Sequence, residues 1–254
     1  MIHLRDVGSE EQGWNPMVRV EAGGISADYL IDTGGDRCTL ASGHVGLLLD
    51  GVAGNVTDSN GLRACTNGQV RELLVDGVRF TDVGARVLGA YTSLFHGRVI
   101  WGTESPMLGQ TLFGERILVI DGPGHRLWFP GSMPNVPTIP FTSFGPGSRH
   151  LIVQGRRGDA AVTVFLDTGY ARSRIADQGP GSGNRLDIGG MVFDLERHRA
   201  TVTHLPGDTD LVVGGVVIHV TLGWDVLRDV VQTIDYRTRS IALSAGAKPH
   251  RVDP

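Results

Sequence analysis

Two Asp-Thr-Gly tripeptides carry the most direct chemistry in this chain of 254 residues: Asp32-Thr33-Gly34 and Asp167-Thr168-Gly169. Each ends an apolar run, Tyr29-Leu30-Ile31 in the first half and Val164-Phe165-Leu166 in the second. Gly34 and Gly169 let backbone N–H groups approach a carboxylate with no Cβ in the way. Two carboxyls within about 3 Å cannot both ionise, so they hold one proton between them. The ionised member can take a proton from water while the protonated member polarises a carbonyl. Asp32 and Asp167 are therefore candidate catalytic residues that titrate as a unit. One Asp-Thr-Gly alone reads as an ordinary turn. The pair acquires meaning only if something brings its members together.

A duplication supplies that reason. Asp32 and Asp167 lie 135 positions apart, and at that spacing Leu30 and Ile31 fall on Phe165 and Leu166, and Leu40 on Ile175. Further along the spacing is 114: Leu108-Gly109 matches Leu222-Gly223, Ile120-Asp121 matches Ile234-Asp235, and Leu127 and Phe129 match Ile241 and Leu243. Between them, Val75 to Phe80 matches Ile188 to Phe193 at a spacing of 113. About 21 residues of the first half thus have no counterpart in the second. They include Gly61-Leu62-Arg63-Ala64-Cys65-Thr66-Asn67-Gly68, two glycines bracketing a polar tip ahead of the alternating run Val70 to Val75. That pattern predicts a β-hairpin with its tip between the glycines. The second half has only Gln178-Gly179-Pro180-Gly181-Ser182-Gly183 there. One long hairpin and one short turn suit a single flap over a single cleft.

Composition narrows the alternatives. The formal charge of −4 is spread without a basic stripe or an acidic tail, so nucleic acid is not an expected partner. No apolar run approaches ~20 residues, so no membrane-spanning helix is expected, and Met1 to Asp6 shows no secretory signal. The histidines are scattered with no His-x-x-x-His or Cys-x-x-Cys spacing, so neither a metal nor another cofactor is expected. Gly181-Ser182-Gly183 lacks a strand–loop–helix setting and reads as a turn. The two cysteines, Cys38 and Cys65, could tie the flap to the catalytic loop, but reduced thiols in a cytoplasmic protein are the preferred reading.

Abundant glycine, with Val-rich alternating runs, predicts an all-β chain with short helices. The best helical candidate is Trp224 to Val231, with Asp225 a first-turn acid. Asp121 and Asp235 match each other and read as structural turn residues. Pro130, Pro134, Pro137 and Pro140, followed by Gly145-Pro146-Gly147, mark an extended connector. The expected organisation is a first lobe over 1–130, a linker over 131–148, a second lobe over 149–245 and a loose tail over 246–254.

The paired Asp-Thr-Gly loops, the flap segment, Met107-Leu108-Gly109 and Thr221-Leu222-Gly223 together resemble the retropepsin/pepsin superfamily of aspartic proteases. Leu222-Gly223-Trp224-Asp225-Val226-Leu227 is similar to the bacterial single-chain or retroviral-type members. The resemblance covers roughly Met17 to Leu243. It implies a bilobal pepsin/retropepsin-like acid protease fold, with two duplicated β-barrel-like lobes and the active site at their interface. It implies an aspartic endopeptidase acting on a peptide or protein substrate, with Thr33 and Thr168 clamping the loops. A monomer is expected because both half-sites are in one chain. Substrate would be met by Gly35, Asp36 and Tyr170 beside the motifs and by Ala64, Cys65 and Thr66 of the flap. Asp36 stands where retroviral-type enzymes hold the substrate backbone; a surface pair with Arg37 is the other reading. The chain departs from the family pattern at Gly35 and Tyr170, where Ser, Thr or Ala is common, and in having no Tyr between Asn60 and Val70. A catalytically weak or inactive peptide-binding module of the same fold is the alternative function.

Overall fold

The computed structural model describes residues 1–11, 13–40, 47–58, 61–88, 91–95, 98–102, 106–114, 116–144, 148–177, 179–203, 212–213 and 215–246. They form strands almost throughout, with two helices of four residues each, Gln110–Phe113 and Trp224–Leu227. Two large sheets, of eight and seven strands, build the two lobes, and a sheet of six strands joins them.

The five central strands of the lobes follow the same order. In lobe one they are Gly13–Ala22, Ile25–Ile31, Met107–Leu108, Cys38–Leu40 and Val78–Leu88. In lobe two they are Leu151–Arg157, Ala160–Leu166, Val220–Leu222, Arg174–Ala176 and Thr201–Thr203. Even the registers repeat. Leu108 lies beside Ile31 in a parallel pair, and Leu222 lies beside Leu166 in the same way. Met107 faces Thr39, as Thr221 faces Arg174. A shift of one residue would turn the apolar face of each strand to solvent. In Gly13–Ala22, Val18, Val20 and Ala22 are buried while Glu21 between them is exposed.

The joining sheet carries the symmetry between the lobes. Ile117–Asp121 runs antiparallel to Val230–Asp235, with Ile117 opposite Asp235 and Asp121 opposite Val231. Val119 pairs with Thr233, its own counterpart at the spacing of 114. A local two-fold axis therefore passes through that pair. The linker contributes an edge strand, Ile139–Pro140, against Ile241 and Ser240. An edge tolerates the missing N–H of Pro140. One continuous apolar core runs through both lobes and includes Ile31, Leu108, Leu166, Leu222 and Trp224. Each large side chain buried there contributes about 1.5–3 kcal/mol of hydrophobic stabilisation.

Two sequence expectations need correction. Helix after Trp224 ends at Leu227, because Val230 and Val231 belong to the joining sheet, where β-branched residues pack well. The flap tip does not lie between Gly61 and Gly68. Gly61–Val75 is one unbroken strand, paired to Leu48–Asp58 on one side and to Val78–Leu88 on the other. Asp58 and Gly61 are the last pair of the hairpin, so Gly61 to Gly68 lie within its second strand. Gly68 is an extended strand residue, and a Cβ there would meet the Leu49 carbonyl at 2.7 Å. Glycine in this strand thus marks a close approach of neighbouring backbone and not a turn. Gly145-Pro146-Gly147 and the tail from Ala247 lie outside the described residues.

Candidate active site

The strands Ile25–Ile31 and Ala160–Leu166 deliver the two Asp-Thr-Gly loops to the seam between the lobes. Each loop is anchored by the Leu-Gly segment of its own lobe. The Asp32 amide donates to the Leu108 carbonyl and the Asp167 amide to the Leu222 carbonyl, both at 3.0 Å. Gln110 and Trp224, each the first residue of its helix, donate their amides to the Gly35 and Tyr170 carbonyls.

Across the seam the loops lock reciprocally. The Thr33 amide donates to the Thr168 hydroxyl at 3.0 Å, and the Thr168 amide to the Thr33 hydroxyl at 3.1 Å. The Thr168 hydroxyl donates to the Ile31 carbonyl at 2.7 Å, and that of Thr33 to the Leu166 carbonyl at 3.4 Å. Both threonines are fully buried. The carboxyls of Asp32 and Asp167 lie together on top of this clamp, close enough to act on one another's protonation.

The glycines are sterically required. A Cβ on Gly34 would lie 2.1 Å from an Asp167 carboxyl oxygen, and one on Gly169 would lie 2.6 Å from the Asp32 carboxyl. Each loop therefore presses its backbone against the carboxyl of the other. Donors to the two acids are unequal. Asp32 Oδ1 accepts the amides of Gly34 and Gly35, both at 2.8 Å, whereas Asp167 Oδ1 accepts that of Gly169 at 2.8 Å. Burial pushes both carboxyls up. Asp167 rises well above the ordinary value because it also faces the Asp32 charge, while Gly34, Gly35 and the Arg86 guanidinium restrain the rise of Asp32.

Asp36 pairs with Arg86 at 3.0 Å and not with Arg37. Arg86 is buried and also donates to the Thr39 hydroxyl at 3.3 Å, so it ties the catalytic loop to the strand Val78–Leu88. The His150 ring lies tilted against Phe144, with ring centroids 4.7 Å apart. Burial holds its pKa below the ordinary imidazole value. The Tyr170 ring lies under the Arg174 guanidinium at 4.7 Å. In the strand Gly61–Val75, Ala64 is exposed, Thr66 half-buried and Cys65 buried. Cys38 and Cys65 are both free thiols.

Several supporting residues escaped the sequence reading. The Gln110 side chain donates to the Thr33 carbonyl and accepts the Arg149 amide, each at 3.0 Å, joining the lobes behind the clamp. The Thr111 hydroxyl accepts the Cys38 amide, and the Asp225 carboxylate accepts the Ser173 amide and hydroxyl. These two contacts are equivalent, since Cys38 and Ser173 obey the spacing of 135, and Thr111 and Asp225 that of 114. Asp225 therefore holds a loop in addition to standing in a helix's first turn. The available signal was the repeat itself, which lines up Thr111 with Asp225. For Arg86 it was a lone cation in Gly84-Ala85-Arg86-Val87-Leu88. Asp121 and Asp235 cap turns, accepting the Gly124 and Arg237 amides at 2.9 Å. Among the described residues no three His, Cys, Asp or Glu side chains gather as a metal site, and no helix is long and apolar enough to cross a membrane.

Two buried carboxyls meet over a symmetric clamp, at the seam of two repeated β lobes. An aspartic proteinase from Irpex lacteus shares this fold, with a TM-score of 0.59 at 12% identity over 100% of this chain and 99% of that one. The chain thus has the bilobal pepsin-like aspartic proteinase fold. No family model and no curated protein sequence matches it.

Proposed function

We propose that this chain is an aspartic endopeptidase whose nucleophile is a water activated by Asp32 and Asp167. The meeting of these two buried carboxyls over the threonine clamp supports the reading, because carboxyls so placed hold one proton between them, as the chemistry requires. Asp32, with more donors, is the ionised member that takes a proton from water. Asp167 retains the shared proton and donates a hydrogen bond to the scissile carbonyl as the tetrahedral centre forms. The proton taken by Asp32 then passes to the leaving amine, and the pair returns to its starting state.

The paired strands Leu48–Asp58 and Gly61–Val75 act as the flap. Asp36, held by Arg86, meets the substrate backbone at the end of the cleft. The enzyme works as a monomer, with both half-sites in one chain. A cytoplasmic setting is supported by its two free thiols.

The decisive assay incubates the protein with a mixed peptide library and reads cleavage by mass spectrometry. A peptide mimic carrying a hydroxyl at the scissile position is added in parallel. Internal cleavage that the mimic suppresses is the expected result. Binding of library peptides without any cleavage would assign the fold to a peptide-binding module instead.

A further inference from the structure

A cavity of about 180 Å³ opens where the N-terminal hairpin of lobe one meets lobe two, and neither Asp32 nor Asp167 lines it. Its walls bring together Trp14, Arg172, Arg197, His198, Arg199 and Arg228. These cations come from the loop after the second Asp-Thr-Gly, from the turn before Ala200 and from the end of the helix Trp224–Leu227.

Several arginines elsewhere meet acids, as Arg5 does Asp28, Arg79 Glu72, Arg86 Asp36, Arg126 Asp121 and Arg237 Asp235, while Arg156 and Arg157 donate to backbone carbonyls. In the cavity Arg172 donates to the backbone carbonyls of Glu10 and Glu11. Arg228 lies 5.3 Å from the Trp14 ring centroid and approaches Asp6 only to 3.8 Å. Arg197 and Arg199 meet no carboxylate among the described residues. Glu10 and Asp225 also line the cavity, but the Asp225 carboxylate accepts hydrogen bonds from Ser173 and Val226. Four guanidinium groups outnumber the two acids, Glu10 and Asp225, that line the hollow with them, so a further anion there would be stabilised. Their planar forks match an oxyanion carrying two or more acceptor oxygens.

We propose that this cavity binds an oxyanion, either the phosphate or carboxylate of an acidic peptide residue or free phosphate. The site is separate from the carboxyl pair, so it stands or falls independently of peptidase activity.

Isothermal titration with inorganic phosphate at constant ionic strength tests it on the full chain. Saturable one-to-one binding is expected, weakened about tenfold or more in the Arg197→Ala/Arg199→Ala double variant. Both side chains are exposed, so the far-ultraviolet circular dichroism should not change. A second titration uses a phosphoserine peptide and its unphosphorylated twin with the Asp32→Asn protein, which prevents turnover. Binding of the phosphopeptide more tightly than free phosphate supports a peptide-borne group, and binding no tighter supports the free ion. No saturable binding of either ligand, or equal affinity in the double variant, overturns the proposal.

Discussion

Thr33 and Thr168 exchange hydrogen bonds across the lobe seam, each giving its amide to the other's hydroxyl at 3.0 and 3.1 Å. Two chain segments 135 residues apart thereby fix one another with no solvent between them. The clamp sits directly under the carboxyl pair, so its geometry sets the distance between Asp32 and Asp167.

Replacing Thr168 by Val should expose the value of that clamp. The Thr33 amide would lose its acceptor in a buried place, at a cost of about 1–3 kcal/mol. Urea unfolding should show the loss, and peptide turnover should fall further than stability alone explains. Thr168→Ser, which keeps the hydroxyl, should recover most of both. A loss confined to the Ser variant, with the Val variant close to wild type, would show that the methyl group and not the hydrogen bonds matters.

Asp32→Asn and Asp167→Asn should each reduce turnover by at least about 10²–10⁴-fold, the usual contribution of general acid–base groups. Because the carboxyls act as one unit, the double variant should be no slower than either single variant. Steady-state kinetics on one peptide checks both statements. Substantial turnover in either single variant would place the chemistry elsewhere.

Stability should depend on pH through the same pair. Both carboxyls titrate above their ordinary value in the fold. The folded chain therefore holds more protons than the unfolded one between the ordinary and the raised values. The pair's contribution is fully present below the ordinary carboxylate value and is lost as pH rises through that window. Asp167→Asn removes this loss, so the variant should gain on the wild type as pH rises, by on the order of 1–3 kcal/mol at neutrality. Calorimetry from acid to neutral pH measures the difference. A constant difference at all pH values would contradict the raised carboxyls.

The pH–rate profile should be a bell lying above the range of an ordinary carboxylate pair, with its optimum between weakly acidic and neutral. The Arg86 guanidinium favours the ionised form of Asp32, so Arg86→Gln should move the acid limb upward. Profiles of wild type and variant on one substrate provide the test. A strongly acidic wild-type optimum would refute the first expectation, and an unmoved acid limb in the variant the second.

Shortening the flap should separate capture from folding. Asn55 and Ala64 are paired, so replacing residues 56–63 by Asn-Gly closes a shorter hairpin without disturbing register. The kcat/KM should fall at least about tenfold while thermal unfolding stays cooperative. Unchanged kinetics would remove the hairpin from the mechanism. Deleting residues 63–67 is a poor alternative, because they lie inside a strand paired on both sides.

The duplication was legible in the sequence because structural equivalence leaves matching residue types at fixed spacings. Asp32 and Asp167, Leu108 and Leu222, and Val119 and Thr233 all follow from the same offsets that order the strands. The first lobe's longer hairpin was also legible, since an unmatched segment has no other explanation in a repeat. Its turn was misplaced because glycine marks both a tight turn and a close backbone approach, and only the approach of Gly68 to the Leu49 carbonyl distinguishes them. Cys65 faced inward for a related reason: alternation along a strand shows which residues share a face, not which face is covered.

Partners from distant segments were decided by tertiary structure alone. Asp36 has Arg37 beside it in sequence and Arg86 beside it in space, because the parallel pairing of Cys38–Leu40 with Val78–Leu88 carries Arg86 under the loop. The unequal donors to Asp32 and Asp167 likewise arise where the loops bend against each other. The sequence by itself determined that two equivalent carboxyls exist and that each ends a buried strand. Their meeting and the unequal backbone donors around them come from packing the lobes across the seam, because hydrogen bonding and desolvation act through distances that chain order does not encode.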